Sequence, residues 1–231
     1  MNKFIQAIKS LDMPLLERII HTEPKWTKWA EEDGKNGLHY LCAVPLASHP
    51  EKADASLDIL KLFLENGMDI NSIHLIADGC DNFPATPLWY AYTRGRNEKV
   101  YKYLLDQGAN PENCMYAIAW YDDAEAAALF KKHGASIEGT NNMDSPFFAA
   151  YNWKRYNVAQ WFLENGANVD FADSKGNTAL FYAVKKKLKN EQIELLLRFG
   201  ADVNKKNNEG VSPKELAGAN RQKKILGMFI K

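Results

Sequence analysis

One phrase recurs through the 231 residues and constrains the fold more than any other feature. It reads LENGMDIN at Leu64–Asn71, LDQGANPE at Leu105–Glu112, LENGANVD at Leu163–Asp170 and LRFGADVN at Leu197–Asn204, with a polar-starting version, KKHGASIE, at Lys131–Glu138. The glycines Gly67, Gly108, Gly134, Gly166 and Gly200 are separated by 41, 26, 32 and 34 residues. A period near 33 that drifts in both directions is the mark of a stack of small helical units, with insertions and one deletion. No such unit buries its apolar face alone, so each is covered by the next.

The local chemistry of the phrase is that of a helix end. Apolar residues upstream recur at helical spacing, as in Val158, Ala159, Phe162 and Leu163, or Ile193, Leu196 and Leu197. The glycine then closes the helix in the left-handed conformation that side chains resist. A second phrase precedes each helix pair: NGLHYLC at Asn36–Cys42, TPLWYAY at Thr86–Tyr92, SPFFAAY at Ser145–Tyr151, NTALFYAV at Asn177–Val184 and VSPKELAG at Val211–Gly218. Thr or Ser before Pro is a helix start, because the hydroxyl caps free amides and proline at the first turn lacks only a donor that had no partner.

A start of Thr-Pro-Leu-x-x-Ala, two short helices and an end of Leu-x-x-Gly-Ala-x-x-Asn resembles the ankyrin repeat family, over nearly the whole chain. The resemblance implies an all-α ankyrin-repeat solenoid of about six to seven helix-turn-helix units, degenerate caps included, forming a single domain over 1–231. Residues 1–32 read as an N-terminal helical cap. Residues 33–71 form a repeat split by an insertion near 44–54, and 72–112 one with a long lead-in loop at 72–85. Residues 113–139 are a short copy with no room for a hairpin finger; 140–171 and 172–204 are the cleanest copies, and 205–231 is the C-terminal cap.

Composition narrows the class. Apolar residues at 46% and charged residues at 25% are those of an ordinary globular chain. No apolar run approaches the roughly 18 residues of a membrane helix. The start, MNKFIQAIKSLD, does not read as a secretory leader, so a cytoplasmic location is expected. Cys42, Cys80 and Cys114 are odd in number and far apart, which suggests reduced thiols rather than a disulfide framework or a zinc site. Net charge is zero but polarised: Lys185–Lys231 holds 12 Lys and Arg against 5 Asp and Glu, so that segment carries +7 and the first 184 residues −7. That balance argues against a dedicated nucleic-acid binder and for a directional surface.

The resemblance also places a binding groove on the first helices and the fingers. By register, groove positions fall on Ala43 and Val44, Thr93 and Arg94, Trp120 and Tyr121, Asn152 and Trp153, and Lys185 and Lys186. Finger positions add Lys35, Asn141, Asn142, Asp144, Ser174, Lys175 and Asn177. The partner-binding candidates are therefore Arg94, Trp120, Tyr121, Asn152, Trp153, Lys185, Lys186, Asn141, Asn142, Asp144 and Lys175. Two readings of Trp120 and Trp153 stand: rings that anchor a partner, or rings that fill the space of the missing finger. Trp89 and Phe181 occupy a register where the family has an internal histidine, as His39 does here, and are expected in the core. Trp26 and Trp29 suit either a binding edge or a lid over the N-terminal core. The run KKKLK at Lys185–Lys189 is a solvated helix end or a seat for an acidic patch on a partner.

No HExxH, GxSxG, GxGxxG or P-loop occurs, and the five histidines are scattered through different repeats. The expectation is a non-catalytic protein-interaction module without cofactor or metal: a monomer acting as adaptor or as an inhibitor of the immunity-protein type. The alternatives are a targeting module of an effector or enzyme complex, and an aromatic groove reading a modified peptide or nucleic acid.

Overall fold

The computed structural model describes residues 2–46, 50–78, 81–138 and 145–230. Its contacts divide the chain into two compact units, Met1–Cys114 with His133–Ala135, and Met115–Lys132 with Ser136–Lys231.

The first unit is built of three helix pairs. Helices α1 (Lys3–Ser10) and α2 (Met13–Thr22) are followed by a 3-10 turn at Pro24–Thr27. Then come α3 (Gly37–Cys42) with α4 (Ala53–Glu65), and α5 (Pro87–Tyr90) with α6 (Glu98–Asp106). First helices pack on first helices, α1 on α3 and α3 on α5, and second helices on second helices, α2 on α4 and α4 on α6. Phe4, Ile8, Leu16, Leu38, Ile59, Leu60, Phe63 and Leu88 form the core. Trp26 lies stacked on buried Phe4, centroids 5.4 Å apart, and Trp29 tilts against Trp26, so the pair forms a lid over this end.

The second unit holds α7 (Cys114–Tyr121), which begins at the boundary, α8 (Ala124–Lys132), α9 (Pro146–Asn152), α10 (Tyr156–Glu164), α11 (Ala179–Lys185), α12 (Asn190–Arg198), α13 (Pro213–Ala219) and α14 (Lys223–Met228). Within this unit helix α11 packs on α9 and α13, and α10 on α8, first helices on first and second on second. Fingers interlock through backbone and side chain: the Asn208 amide donates to the Lys175 carbonyl at 3.0 Å, and Asn207 Nδ2 to Asn177 Oδ1 at 2.8 Å. Only residues 107–113 separate α6 from α7, as the short interval requires.

Helix ends follow the sequence chemistry. Gly67, Gly108, Gly134, Gly166 and Gly200 all have φ between 80° and 97°. Thr86, Thr178 and Ser212 accept from the third amide of their helices, and Asn36 and Ser212 complete capping boxes with His39 and Glu215. Ser145 departs from the expectation: it makes no capping bond, and its buried hydroxyl has no partner among the described residues. The turn inside every pair but the split α3–α4 pair is also left-handed among the described residues, but carried by residues other than glycine: Leu11, Arg96, Asp122, Lys154, Lys187 and Arg221. Such a residue costs roughly 1 kcal/mol relative to right-handed backbone.

The two insertions are structured differently. In the split repeat, Leu46 is buried and its amide donates to the Gly95 carbonyl at 3.2 Å. A Cβ on Gly95 would lie 2.3 Å from the Cys42 carbonyl oxygen, so only glycine fits beneath this crossing chain. Helix α5 carries one extra residue, absorbed as a π-helical turn at Ala91–Gly95. The segment at 72–85, expected as a loop, is instead an antiparallel hairpin, β1 (His74–Asp78) and β2 (Asp81–Ala85), with Ile76 opposite Phe83. It is fixed at its base, where the Leu75 amide donates to the Asp33 carbonyl at 2.8 Å.

Candidate partner-binding surface

The two tryptophans singled out by register come together in the second unit. Helix α7 ends in Trp120 and Tyr121, which remain 50% and 42% exposed, the most exposed aromatic side chains among the described residues. Trp153, at the C-terminal cap of α9, is half-buried and stands edge-on to Trp120, ring centroids 5.0 Å apart at 80°. Its other neighbour is Tyr116, 4.9 Å away at 81°. Arg155 completes the group, its guanidinium 5.8 Å from the Trp120 ring centre and its Nε buried without a hydrogen-bond partner among the described residues. The result is a rigid, partly wet aromatic cluster with a cation on its flank, in which edge-to-face contacts hold the rings in place.

Tyr116 and Arg155 were not among the sequence-derived candidates. Tyr116 was legible in principle, because it precedes Trp120 by four residues and so shares its helix face. Its register is the one His39 occupies in the first unit, where the side chain is wholly internal. Asn152 is half-buried beside Trp153. Lys185 and Lys186 are exposed on α11, and Lys186 lies 5.0 Å over the Tyr182 ring. The Tyr182 hydroxyl donates to Asp173 Oδ2 at 2.7 Å. Burial works to raise the Asp173 pKa, but this bond and those from the Asn177 and Lys175 amides outweigh it and hold the carboxyl below its ordinary value. Lys175 is exposed on its finger. Asn141, Asn142 and Asp144 lie outside the described residues.

Arg94 belongs to the first unit, where its guanidinium lies 5.9 Å over Trp89. Trp89 is half-buried between Phe83 of the hairpin and Tyr90, whereas Phe181 is buried as expected. Beneath the hairpin, the Tyr90 hydroxyl donates to His74 Nδ1 at 2.7 Å and His74 Nε2 to Asp33 Oδ2 at 3.0 Å. His39 Nε2 reaches the carbonyls of Ser72 and Ala85 at 3.2 and 3.3 Å, tying both feet of the hairpin to α3. The Tyr40 phenol, bonded to Glu31 at 2.6 Å, is pushed up to about 12 by burial and by that carboxylate. These groups bond to one another and not into an open pocket. Among the described residues no group of three His, Cys, Asp or Glu side chains converges as a metal site. No described helix is long and apolar enough to cross a membrane.

Comparison with known proteins agrees with this architecture. The family model described as ankyrin repeats in three copies matches residues 114–207 and 147–230, and the single ankyrin repeat model matches 85–115. Phosphocholine transferase AnkX of Legionella pneumophila is 30% identical over 170 residues, 68% of this chain and 17% of that protein. A putative ankyrin repeat protein of Rickettsia felis is 38% identical over 89 residues, 38% of this chain and 51% of the relative. The chain thus spans from 17% to about half the length of these relatives. Among solved structures, the ankyrin repeat domain of Bcl-3, a member of the IkappaB protein family, superposes with a TM-score of 0.76 at 18% identity, covering 100% of this chain and 99% of that one. The chain belongs to the ankyrin repeat family.

Proposed function

We propose that this chain is a non-catalytic binding module that holds a partner protein on the first-helix face of its second unit, with Trp120 and Tyr121 as anchors. Ankyrin repeats are in general protein–protein interaction modules. What carries the reading for this chain is the exposure of Trp120 and Tyr121 beside a preorganised Trp153, Tyr116 and Arg155. Rings already held by neighbours lose little freedom on binding, and aromatic residues beside arginine dominate interface energetics. Arg155 itself takes the cation position over Trp120, which disfavours recognition of a modified, cationic peptide by this aromatic groove. The His74, His39 and Tyr40 groups are taken up by hydrogen bonds that tie the hairpin to α3 and to Asp33, and α3 to Glu31, which suits a structural role.

An adaptor or an inhibitor that caps an enzyme, working as a cytoplasmic monomer, fits this reading. A second reading, a targeting module within a larger effector, is favoured by the similarity to AnkX. Affinity capture from native lysate, comparing the wild type with Trp120→Ala/Tyr121→Ala, tests the main proposal. The variant is expected to fold normally and lose its principal partner. Undiminished capture by the folded variant would reject this face, and co-capture of a catalytic subunit would favour the second reading.

A further inference from the structure

The left-handed turns inside the pairs of the second unit change sign along the stack. Asp122 carries the first, and its carboxylate is engaged, Oδ1 accepting from the Val158 amide at 2.8 Å. The next three are carried by Lys154, Lys187 and Arg221. Because α9 packs on α11 and α11 on α13, these three turns occupy the same edge of successive layers. Lys189, Lys223 and Lys224 stand beside them, and all six cations are exposed and without a carboxylate partner among the described residues. Lys187, Leu188, Asn190, Gln222, Lys223 and Lys224 line a shallow cavity of about 290 Å³, with Gln222 Nε2 donating to the Val184 carbonyl at 3.2 Å.

We infer that this edge is a cationic ridge that binds an extended acidic peptide segment of a protein partner. The inference rests on the reading of the chain as a binding module but uses a surface distinct from the aromatic face. Layers of packed helices lie about 10 Å apart, so three turns span about 20 Å. A chain in the polyproline II conformation rises about 3.1 Å per residue with three residues per turn, which brings an acidic side chain at every third position to successive layers on one face over about seven residues. The ridge ends at Asp122 and Asp123, and the whole chain carries no net charge. Such a short, bounded row suits a peptide better than a nucleic acid, whose phosphates would continue past it against those carboxylates.

Fluorescence anisotropy of a labelled nine-residue peptide with Glu at every third position and Gly or Ser between tests the inference on the full chain. The matching Gln peptide, a short single-stranded DNA and vesicles containing phosphatidylserine serve as comparators. The Glu peptide is expected to bind in a salt-sensitive way and the Gln peptide not at all. Lys187→Glu/Lys223→Glu is expected to weaken binding roughly tenfold or more, and Trp120→Ala/Tyr121→Ala to leave it unchanged. Equal binding of the Glu and Gln peptides, unaltered binding by the charge-reversed variant, or tighter binding of the DNA or vesicles would overturn it. Because the peptide does not use the aromatic face, failure here leaves the Trp120 result standing, and the converse holds as well.

Discussion

Trp153 meets Trp120 edge to face at 5.0 Å, joining the C-terminal cap of α9 to the last turn of α7. One ring is half-buried and the other half-exposed, so their substitutions separate. Trp153→Ala removes packing against both Trp120 and Tyr116 and is expected to cost about 2 kcal/mol; Trp120→Ala is expected to cost less than about 1 kcal/mol. A double-mutant cycle by urea unfolding is expected to return a coupling of about 1 kcal/mol. A coupling near zero would show that the rings do not rest on each other.

His39 makes the first unit sensitive to acid. It is fully buried, and with Nε2–H donating to the Ser72 and Ala85 carbonyls and Nδ1 accepting from the Asn36 amide it is a neutral imidazole. Burial is the main reason its pKa falls from 6.5 to about 4, with the nearby His74 adding to it. Since the folded state disfavours the charged form, the contribution is complete above pH 6.5 and is lost as pH falls from 6.5 towards 4. The loss is expected to reach at most about 3 kcal/mol, read from chemical denaturation across that range. His39→Gln is expected to flatten the dependence; an unchanged slope would assign it elsewhere.

Two backbone substitutions of opposite sign test the turns. Lys154→Gly relieves a positive φ of 64° and is expected to stabilise by about 0.5 kcal/mol, the strain removed exceeding the added freedom of the unfolded chain. Gly95→Ala drives a methyl group towards the Cys42 carbonyl and is expected to destabilise by about 2 kcal/mol. Melting temperatures of the two variants moving in the same direction would contradict the assignment.

The thiols of Cys42 and Cys114 are buried, and burial pushes both well above the ordinary thiol range. In a Cys80→Ser background, a thiol reagent is therefore expected to label neither until the chain unfolds. Rapid labelling of either in the absence of denaturant would show that its repeat opens locally.

Much of this fold is legible because its instructions are local. Gly166 ends α10 and Thr178 starts α11 by the same chemistry wherever they stand, and repetition makes that chemistry visible. The hairpin strands at His74–Asp78 and Asp81–Ala85 were not legible, since the second contains Pro84 and the pair is fixed from outside itself, by Asp33, His39 and Tyr90. The π-helical turn was hidden for a related reason: one extra residue before Asn97 can be absorbed in several ways, and the crossing of Leu46 over Gly95 selects one. At the candidate surface, register located Trp120, Tyr121 and Trp153. Register does not reveal Tyr116, whose position is internal in the repeat of His39, nor Arg155, because a residue after a left-handed turn has no direction until the turn is built.

The most direct test of the central claim is site-specific photo-crosslinking in native lysate. A benzophenone amino acid at position 121, on the α7 face, is compared with one at position 160, in the cleft that Gln160 of α10 lines with Glu191 and Arg198 of α12. Crosslinking of a partner protein from position 121 and not from 160 is the predicted result. The reverse pattern, or equal adducts from both positions, would contradict it.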